Sequence, residues 1–579
     1  MCLEVLNVRE RCKISFNVPK KKDFSCLHFF FSIKLHSNHR NQLRHIPVIR
    51  RQTMDSLRPE LHNIIKQSDL ILDGNPTRYH LKPETLSHNE SQPYRKIMFG
   101  ERNKNKPHRV ILIVGETGTG KTTLLNTMVN YMLDVQRKDQ VWFEITDDQS
   151  DLSSAHSQTS KITVYGFYLQ ESKIYLTIID TPGYGDTRGV DLDKEIAESL
   201  LFLSNSEEGI NEIHAVCLVI KATQNRLSDR QIYIFDAVQS LFGRDIAENI
   251  VLLFTHSDGK RPKNALTAVE EAKIKCAVND KKQPVCFLFD NCQSETADED
   301  DDQEEYEMTQ EQSWNRSFKG MGQFLDFIRE IQPKSLKMTQ DVLQNRKQLE
   351  ANINNLQSRV ELTELKQSQL KQTQKALEEN KKNVENNKNF EYEVEVPYKE
   401  KVDIDLSLAY NAVCCTVCEE NCHYPGCWRI TTVPMCHVMK AGHCTVCTNK
   451  CHHSKHVKEA KIYQTKMRTE TRTYENLKKE YDGKIGDGVS LVKKLEEELQ
   501  ELEKDKIKLI NEAFDCVETL EKIALNTNSV LTLQHIDFLI EKLKERNEPE
   551  KFKMLETIKN RAGKGKKGAL GYFSSFFKK

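Results

Sequence analysis

Apolar residues follow different rhythms along this chain, and the rhythm changes near residues 334, 391 and 476. Between about 106 and 333, RVILIVG, KITVYGFYL, KIYLTIID, HAVCLVIKA, NIVLLFT and PVCFLFDN read as buried strands. Helical spacing separates several of them, from Leu124 to Leu133 and from Asp229 to Phe242, and SFKGMGQFLDFI predicts a closing helix. Strands alternating with helices predict a mostly parallel sheet with helices on both faces. From residue 334, Val342, Leu349, Leu356, Thr363, Leu370, Leu377 and Val384 recur every seven residues, with Ile353 and Val360 on the alternate seam. That pattern predicts a long helix needing a partner, and the polar Arg346, Gln367, Gln374 and Lys381 predict a weak or specific pairing. A second seam runs through Leu495, Leu499, Leu502, Leu509, Ala513, Cys516, Leu520 and Ile523. The two helices are expected either to pair antiparallel within one chain or to zip two chains together. Between them, FEYEVEVPYKEKVDI and KIYQTKMRTETRTY alternate with period two, which predicts two strands joined as a ribbon.

These changes divide the chain. Residues 1–53 show little periodicity and stay unassigned; Met54 is the expected natural start, with the earlier residues a gene-model extension. Residues 54–105 form a leader, helical at Leu57, Leu61, Ile64 and Ile65. The strand and helix domain spans 106–333, the first coiled coil 334–390, the ribbon module 391–475 and the second helical part 476–558. The tail 559–579 mixes lysines with Tyr572, Phe573, Phe576 and Phe577, which would allow peripheral membrane contact, against the plainer reading of a frayed terminus.

Charge adds little at the level of the whole chain. Lys plus Arg and Asp plus Glu stand at 85 each, so the bulk field does not favour nucleic acid. No apolar run approaches the roughly 20 residues that cross a bilayer, and a cytoplasmic setting with reduced thiols is expected. An acidic run, Glu295 to Glu307, reads as a solvated loop.

The chemistry starts where the first strand ends. Gly115, Glu116, Thr117, Gly118, Thr119, Gly120, Lys121, Thr122 and Thr123 have the spacing of a phosphate-binding loop, whose backbone N–H groups and helix N-terminus wrap an anion. Lys121 would reach the outer phosphates and Thr122 would hold Mg²⁺. About 60 residues on, a strand ends in Asp180-Thr181-Pro182-Gly183; Asp180 would complete the Mg²⁺ shell and the Gly183 N–H would sense the terminal phosphate. Another strand ends in Thr255, His256, Ser257 and Asp258. An aspartate there can accept from the N1–H and the amino group of guanine, a donor pair adenine lacks, so GTP is expected over ATP. Asn291 ends the last strand, where a base-contacting loop belongs.

GETGTGKTT, DTPGYGDTRG and THSD, in this order and spacing, resemble the AIG1-type (immunity-associated, GIMAP-like) guanine-nucleotide-binding domain, a relative of septins and of the chloroplast import GTPases. The resemblance covers about Lys106 to Pro333, and the THxD form marks the septin-like branch. It implies an α/β P-loop GTPase domain that binds GTP or GDP with Mg²⁺ and dimerises across the nucleotide face. It also implies a switch threonine in SQTSKIT, Thr159 first and Thr163 second, so Mg²⁺ is assigned to Thr122, Thr159 and Asp180, and catalysis to Lys121 and Thr159. Tyr184 stands where Ras-like GTPases carry a water-orienting Gln, so slow hydrolysis is expected.

Nine of the 17 cysteines lie between Cys414 and Cys451. CTVCEENCHYPGC and CTVCTNKCHHSKH repeat at an offset of 29 residues. Zinc takes four thiolate or imidazole ligands, and Cys-x2-Cys supplies two from one turn. Two structural Zn²⁺ sites are expected: Cys415, Cys418, Cys422 and Cys427, then Cys444, Cys447, Cys451 and His456. His423 and His452 are alternates, ligands crossing between copies stay open, and Cys436 with His437 is a further candidate pair. The expected whole is a GTPase domain, then long helices or coiled coil, with a small zinc-stapled β-ribbon module. It would be a GTP switch acting as a homodimer, with a protein partner on the coiled coil or zinc module. The rivals are a scaffold whose zinc module binds protein or RNA, and a septin-like filament former.

Overall fold

The computed structural model describes residues 58–561 except 88–93, 104, 146–160, 171, 173, 184–195, 198, 201, 205–209, 225–227, 294–302, 387, 406–410, 425–431, 481–487, 527–528 and 546–547. Thr159, Tyr184, Cys427, residues 1–53 and the aromatic tail therefore lie outside the described residues.

Helix α1 (Pro59–Lys66) buries Leu61, Ile64 and Ile65. Strands β1 (Ser68–Leu72), β2 (Thr77–Leu81) and β6 (Val141–Glu144) make a small sheet in the order β1-β2-β6. The main sheet takes β3 (Thr85–Ser87), β4 (Tyr94–Phe99), β5 (His108–Gly115), β7 (Ile162–Phe167), β8 (Tyr175–Asp180), β10 (Ala215–Lys221), β11 (Ile250–Thr255) and β12 (Cys286–Leu288). Its order is β12-β11-β10-β5-β8-β7-β4-β3. The first five run parallel; β7 turns antiparallel to β8, β4 is parallel to β7, and β3 is antiparallel to β4. Two of the eight strands thus come from the stretch set apart above as a leader, so the sheet begins before residue 106. A short pair, β9 (Glu212–Ile213) with β13 (Lys334–Ser335), closes the domain's base.

Strands β5, β8 and β11 are buried almost throughout, as parallel strands covered on both faces must be. Val110, Leu112 and Val114 of β5 pack with Tyr233, Ile234 and Val238 of α3 (Asp229–Ser240). The intervening Ile111 and Ile113, equally buried, point to the opposite face. Between these elements lies α2 (Lys121–Met132); α4 (Lys263–Glu271) follows β11. Helix α5 (Gln303–Glu330) is longer than SFKGMGQFLDFI alone suggested. It includes the described end of the acidic run, Gln303 to Glu307, with Glu304 and Glu305 in its first described turn.

Helix α6 (Lys337–Glu379) has 43 residues, roughly 64 Å at 1.5 Å each, and a short α7 (Lys381–Glu385) follows. It pairs with α9 (Gly488–Ile523) inside the same chain. Val342, Leu349, Ile353, Leu356 and Val360 pack with Ile510, Ala513, Val517 and Leu520, while Leu370 and Leu377 cluster with Leu499. Early residues of one meet late residues of the other, so the pair is antiparallel. Helices α10 (Val530–Glu545) and α11 (Pro549–Arg561) join it through Leu533, Ile536, Leu539, Leu555 and Ile558.

Strand β14 (Glu391–Asp403) leads into the cysteine-rich region, whose short strands are β15 (Ala412–Cys415), β16 (Glu420–His423), β17 (Met439–Lys440), β18 (His443–Cys444) and β19 (His456–Glu459). Strand β20 (Lys461–Thr473) then returns along β14 from Asp403↔Lys461 to Glu391↔Thr473, and α8 (Tyr474–Glu480) follows. The ribbon's inner residues Tyr392 and Val394 pack with Leu370 and Leu377 of α6. The cysteine-rich end also lies against the helix pair: Gln344 bonds His437 O, Asn354 bonds Tyr424 O (2.6 Å) and Lys450 pairs with Glu512 (3.0 Å).

Candidate functional sites

Because β5, β8, β10, β11 and β12 are parallel, their carboxyl ends share one edge of the sheet, where α/β sheets bind ligands. That edge gathers Gly115, Asp180, Thr255 and Asn291. Gly118 and Gly120 take φ of 78° and 80°, the left-handed region that glycine enters at little cost. At Gly120 a side chain would also meet Asn291 Nδ2 at 2.5 Å. Lys121 begins α2 and is buried, its Nζ donating to Gly115 O and Glu116 O, each at 3.1 Å. Burial holds its ammonium below the usual lysine range, against the pull of Asp180 and Glu116. Thr122 and Thr123 follow on the first turn of α2.

The loops brace one another. Thr119 Oγ1 donates to Glu116 O at 2.9 Å, and Thr255 Oγ1 donates to Thr119 O at 2.7 Å, joining the base loop to the phosphate loop. Asp180 is buried at the end of β8. Gly183 sits against Thr117, whose Cα and N lie 2.7 and 2.8 Å from where a side chain would start. Thr117 Oγ1 and Asn291 Oδ1 are buried and have no hydrogen-bond partner among the described residues. Buried polar atoms are normally satisfied, so both suit a polar ligand. Asn291 Nδ2 donates to Gly120 O at 3.0 Å, and Asp258 is exposed, its Oδ1 accepting from Lys260 N at 2.8 Å. His256 is exposed with φ of 49°. Thr163, the second candidate for the switch, is buried within β7 opposite Asp180.

Two supports escaped the sequence reading. Arg316 of α5 donates to Ser257 O (2.8 Å) and pairs with Asp290 (2.7 Å), clamping both base loops from 26 or more residues away. Glu116 accepts from Gln231 Nε2 at 3.1 Å and pairs with Arg230 at 3.3 Å, which fastens the phosphate loop to the start of α3.

The cysteines form a second centre, grouped differently from the repeat. Strand β15 pairs with β19 in the register Cys415↔His456, so the two copies interleave. Ligand atoms of Cys415, Cys418, Cys447 and Cys451 lie within 4.8 Å of one another, and so do those of Cys422, Cys444, Cys447 and His456. Cys422 has joined the second copy and Cys447 belongs to both groups. In each copy the backbone N–H three residues on donates to the first sulfur, Cys418 N to Cys415 Sγ and Cys447 N to Cys444 Sγ, both at 3.4 Å. Such bonds stabilise thiolates. Cys418 Sγ and Cys451 Sγ are 3.8 Å apart. Two thiolates on one zinc, about 2.3 Å from it at tetrahedral angles, would also lie about 3.8 Å apart. His456 Nδ1 lies 3.1 Å from His452 O, while its Nε2 is buried with no hydrogen-bond partner among the described residues and the ring lies against Cys447. That leaves Nε2 as the ring nitrogen available to a metal. The Cys444 thiol is lowered to about 3, first through its hydrogen bond to Cys422, whose own thiol is raised. Among the described residues, His423 and Cys436 pair with each other at 3.2 Å instead.

Glu420 holds this centre to the long helix. It is buried and accepts from Thr448 N (3.0 Å) and from Asn355 Nδ2 of α6 (3.2 Å).

Residues 109–319 match the model of the AIG1 family. Immune-associated nucleotide-binding protein 10 of Arabidopsis thaliana is 30% identical over 156 residues, covering 27% of this chain and 29% of its own length. Neuronal-specific septin-3 of Mus musculus is 36% identical over 78 residues, 13% of this chain and 19% of that protein. The chain spans between 29% and 56% of the length of the three Arabidopsis relatives it matches. A crystal structure of Toc33 from Arabidopsis thaliana, solved with Mg²⁺ and GMPPNP, aligns over 42% of this chain and 87% of that one at 14% identity, with a TM-score of 0.26.

Proposed function

We propose that this chain, in which residues 109–319 are an AIG1 family domain, is a cytoplasmic guanine-nucleotide switch coupled to a zinc-stabilised interaction module. The observation that carries the proposal is the meeting of Lys121, Asp180, Gly183, Thr255 and Asn291 at the carboxyl edge of the parallel part of the main sheet. Lys121 exchanges its two loop carbonyls for phosphate oxygens, and its burial strengthens that attraction by excluding water. Gly183 has room only for a backbone N–H beside Thr117, which suits contact with a terminal phosphate. Mg²⁺, when bound, neutralises phosphate charge, and Thr122, Thr159 and Asp180 are the residues that would hold it. Asp258 accepts from the guanine edge, and Asn291, fixed by Gly120 O, backs the base.

With Tyr184 where a water-orienting amide would stand, hydrolysis is slow and is completed by a second copy of the domain across the nucleotide face. Nucleotide state travels along α3: Arg230 and Gln231 at its start hold Glu116, and Ser240 O at its end accepts from Arg346 of α6 at 2.7 Å. Coupling along this route requires that α3 have two arrangements and that the nucleotide loop and the helical arm both bias them. The sulfur-rich donor set suits Zn²⁺, and four-ligand sites serve folding, so the cysteine-rich end presents a protein-binding surface rather than a second active centre.

The test is equilibrium binding of fluorescent GDP, GTP and ATP to the full-length protein and to Asp258→Asn. Guanine nucleotides should bind at least about 100-fold tighter than ATP, and Asp258→Asn should remove most of that margin. Equal ATP affinity, or an Asp258→Asn variant with unchanged GDP affinity, would overturn the proposal.

A further inference from the structure

Two four-ligand groups built from separate residues need eight side chains, and among the described residues they are built from seven. Cys415, Cys418 and Cys451 surround Cys447 on one side, and Cys422, Cys444 and His456 surround it on the other. Four plus four, less the one shared, is seven. The sharing follows from the topology, since β15 of the first copy pairs with β19 of the second and sets Cys415 beside His456. Cys422 is drawn into the second copy, and the two candidate clusters meet at a corner. Cys415, Cys422, Cys444 and Cys447 are buried, so water is a poor substitute for a missing ligand.

Resting on the metal reading above, we propose that the cysteine-rich end holds one binuclear zinc centre in which the Cys447 thiolate bridges both ions. Cys415, Cys418 and Cys451 complete one tetrahedron, and Cys422, Cys444 and His456 the other. Thiolates have lone pairs enough to bind two metals, and zinc imposes no geometric preference that resists a shared corner. The ions would sit roughly 3.8 Å apart, from two 2.3 Å bonds meeting near the tetrahedral angle at sulfur. Each coordinating thiol releases its proton to solvent on loading, so assembly is favoured as pH rises. Seven side chains with one shared fill both tetrahedra, so the proposed centre calls on no ligand from Cys427, which lies outside the described residues, in contrast to a pair of self-contained repeats.

Cobalt(II) makes the bridge visible. Reduced, metal-stripped full-length protein is titrated with Co²⁺ and followed by thiolate-to-metal absorption and by EPR. Absorption should rise to two equivalents, while the high-spin EPR signal grows to about one equivalent and then falls as the second ion couples through sulfur. In zinc-loaded protein, Cys427→Ser should keep both ions and Cys447→Ala should lose both. An EPR signal growing steadily to two equivalents, or saturation at one, overturns the bridge and leaves zinc binding intact; so does loss of an ion in Cys427→Ser. Absence of any thiolate-to-metal absorption overturns the metal reading itself. Should Cys447→Ala fail to fold, the titration of the unmutated chain still decides.

Discussion

Replacing Arg346 tests how the nucleotide domain is joined to the helical arm. Its guanidinium donates to Ser240 O at 2.7 Å, Ser529 Oγ at 2.8 Å, and Thr532 Oγ1 and Asn526 O at 2.6 Å each. Burial pulls it down from 12.5 to about 10, partly countered by Asp236. At about 1.4 kcal/mol per pH unit, that depression is a standing cost of about 3 kcal/mol. Truncation orphans two carbonyls at about 1 to 3 kcal/mol each, whereas Ser529 and Thr532 still bond one another at 2.8 Å. Arg346→Met loses those contacts but also sheds the buried charge, for a net loss of about 0 to 3 kcal/mol. Arg346→Lys keeps the charge with a single ammonium in place of a fork, so it should lose about 2 to 5 kcal/mol. The nominally conservative change is therefore expected to be the worse one. Hydrogen exchange read by mass spectrometry over 229–240, 337–350 and 524–533 reports the local opening free energy. Protection in Arg346→Lys equal to the parent, or a Met variant clearly worse than Lys, would refute the accounting.

Two further outcomes are expected. Gly183→Ala should weaken guanine-nucleotide binding at least about tenfold without lowering the unfolding midpoint, since the added carbon meets the Thr117 backbone and can be relieved only by moving the phosphate loop; fluorescent GDP titration checks this. His108 and His214 are each lowered to about 4, first by burial and then by neighbouring arginines, and His214 Nδ1 accepts from Val110 N at 3.1 Å. Both are neutral when folded and near 6.5 when unfolded, so the unfolded chain binds more protons between those values. Stability is then complete above about pH 6.5 and falls as pH drops towards 4, by about 1 to 2 kcal/mol per histidine after discounting for partial exposure. Urea midpoints at pH 7 and pH 5 should show the loss, and His108→Gln should roughly halve it.

What the sequence disclosed and what it hid follow from how local the signals are. The strand ends at Gly115, Asp180 and Thr255 were legible because each motif stands within a few residues of its own apolar run, whereas the last strand stops at Leu288, short of Asn291. The ribbon was legible from period two, and the observed pairing of Glu391 with Thr473 matches that reading. The interleaving of the cysteine repeats was not, because two similar segments read as two self-contained sites, and only the pairing of β15 with β19 reveals the exchange. Arg346 looked like a polar flaw in a coiled-coil seam; its real partners lie 106 and 180 or more residues away. Arg316 gave no signal, since its role depends on the loops it happens to face.

The ribbon of β14 and β20 has one further consequence. A two-stranded sheet has no interior strand, so both its long sides carry backbone groups that the other strand does not pair; the Glu395 and Tyr463 N–H groups are taken up by the Gln372 and Asn421 side chains. Glu391, Glu393, Glu395, Glu400 and Lys401 are exposed along one strand, and Pro397 removes a donor near its middle. Arg468 and Lys466 charge the other. A neighbouring molecule that tried to add a strand would have to desolvate those charges and forgo a hydrogen bond. This leaves a long ribbon that resists templating aggregation, a property that a more apolar hairpin of the same length would lack.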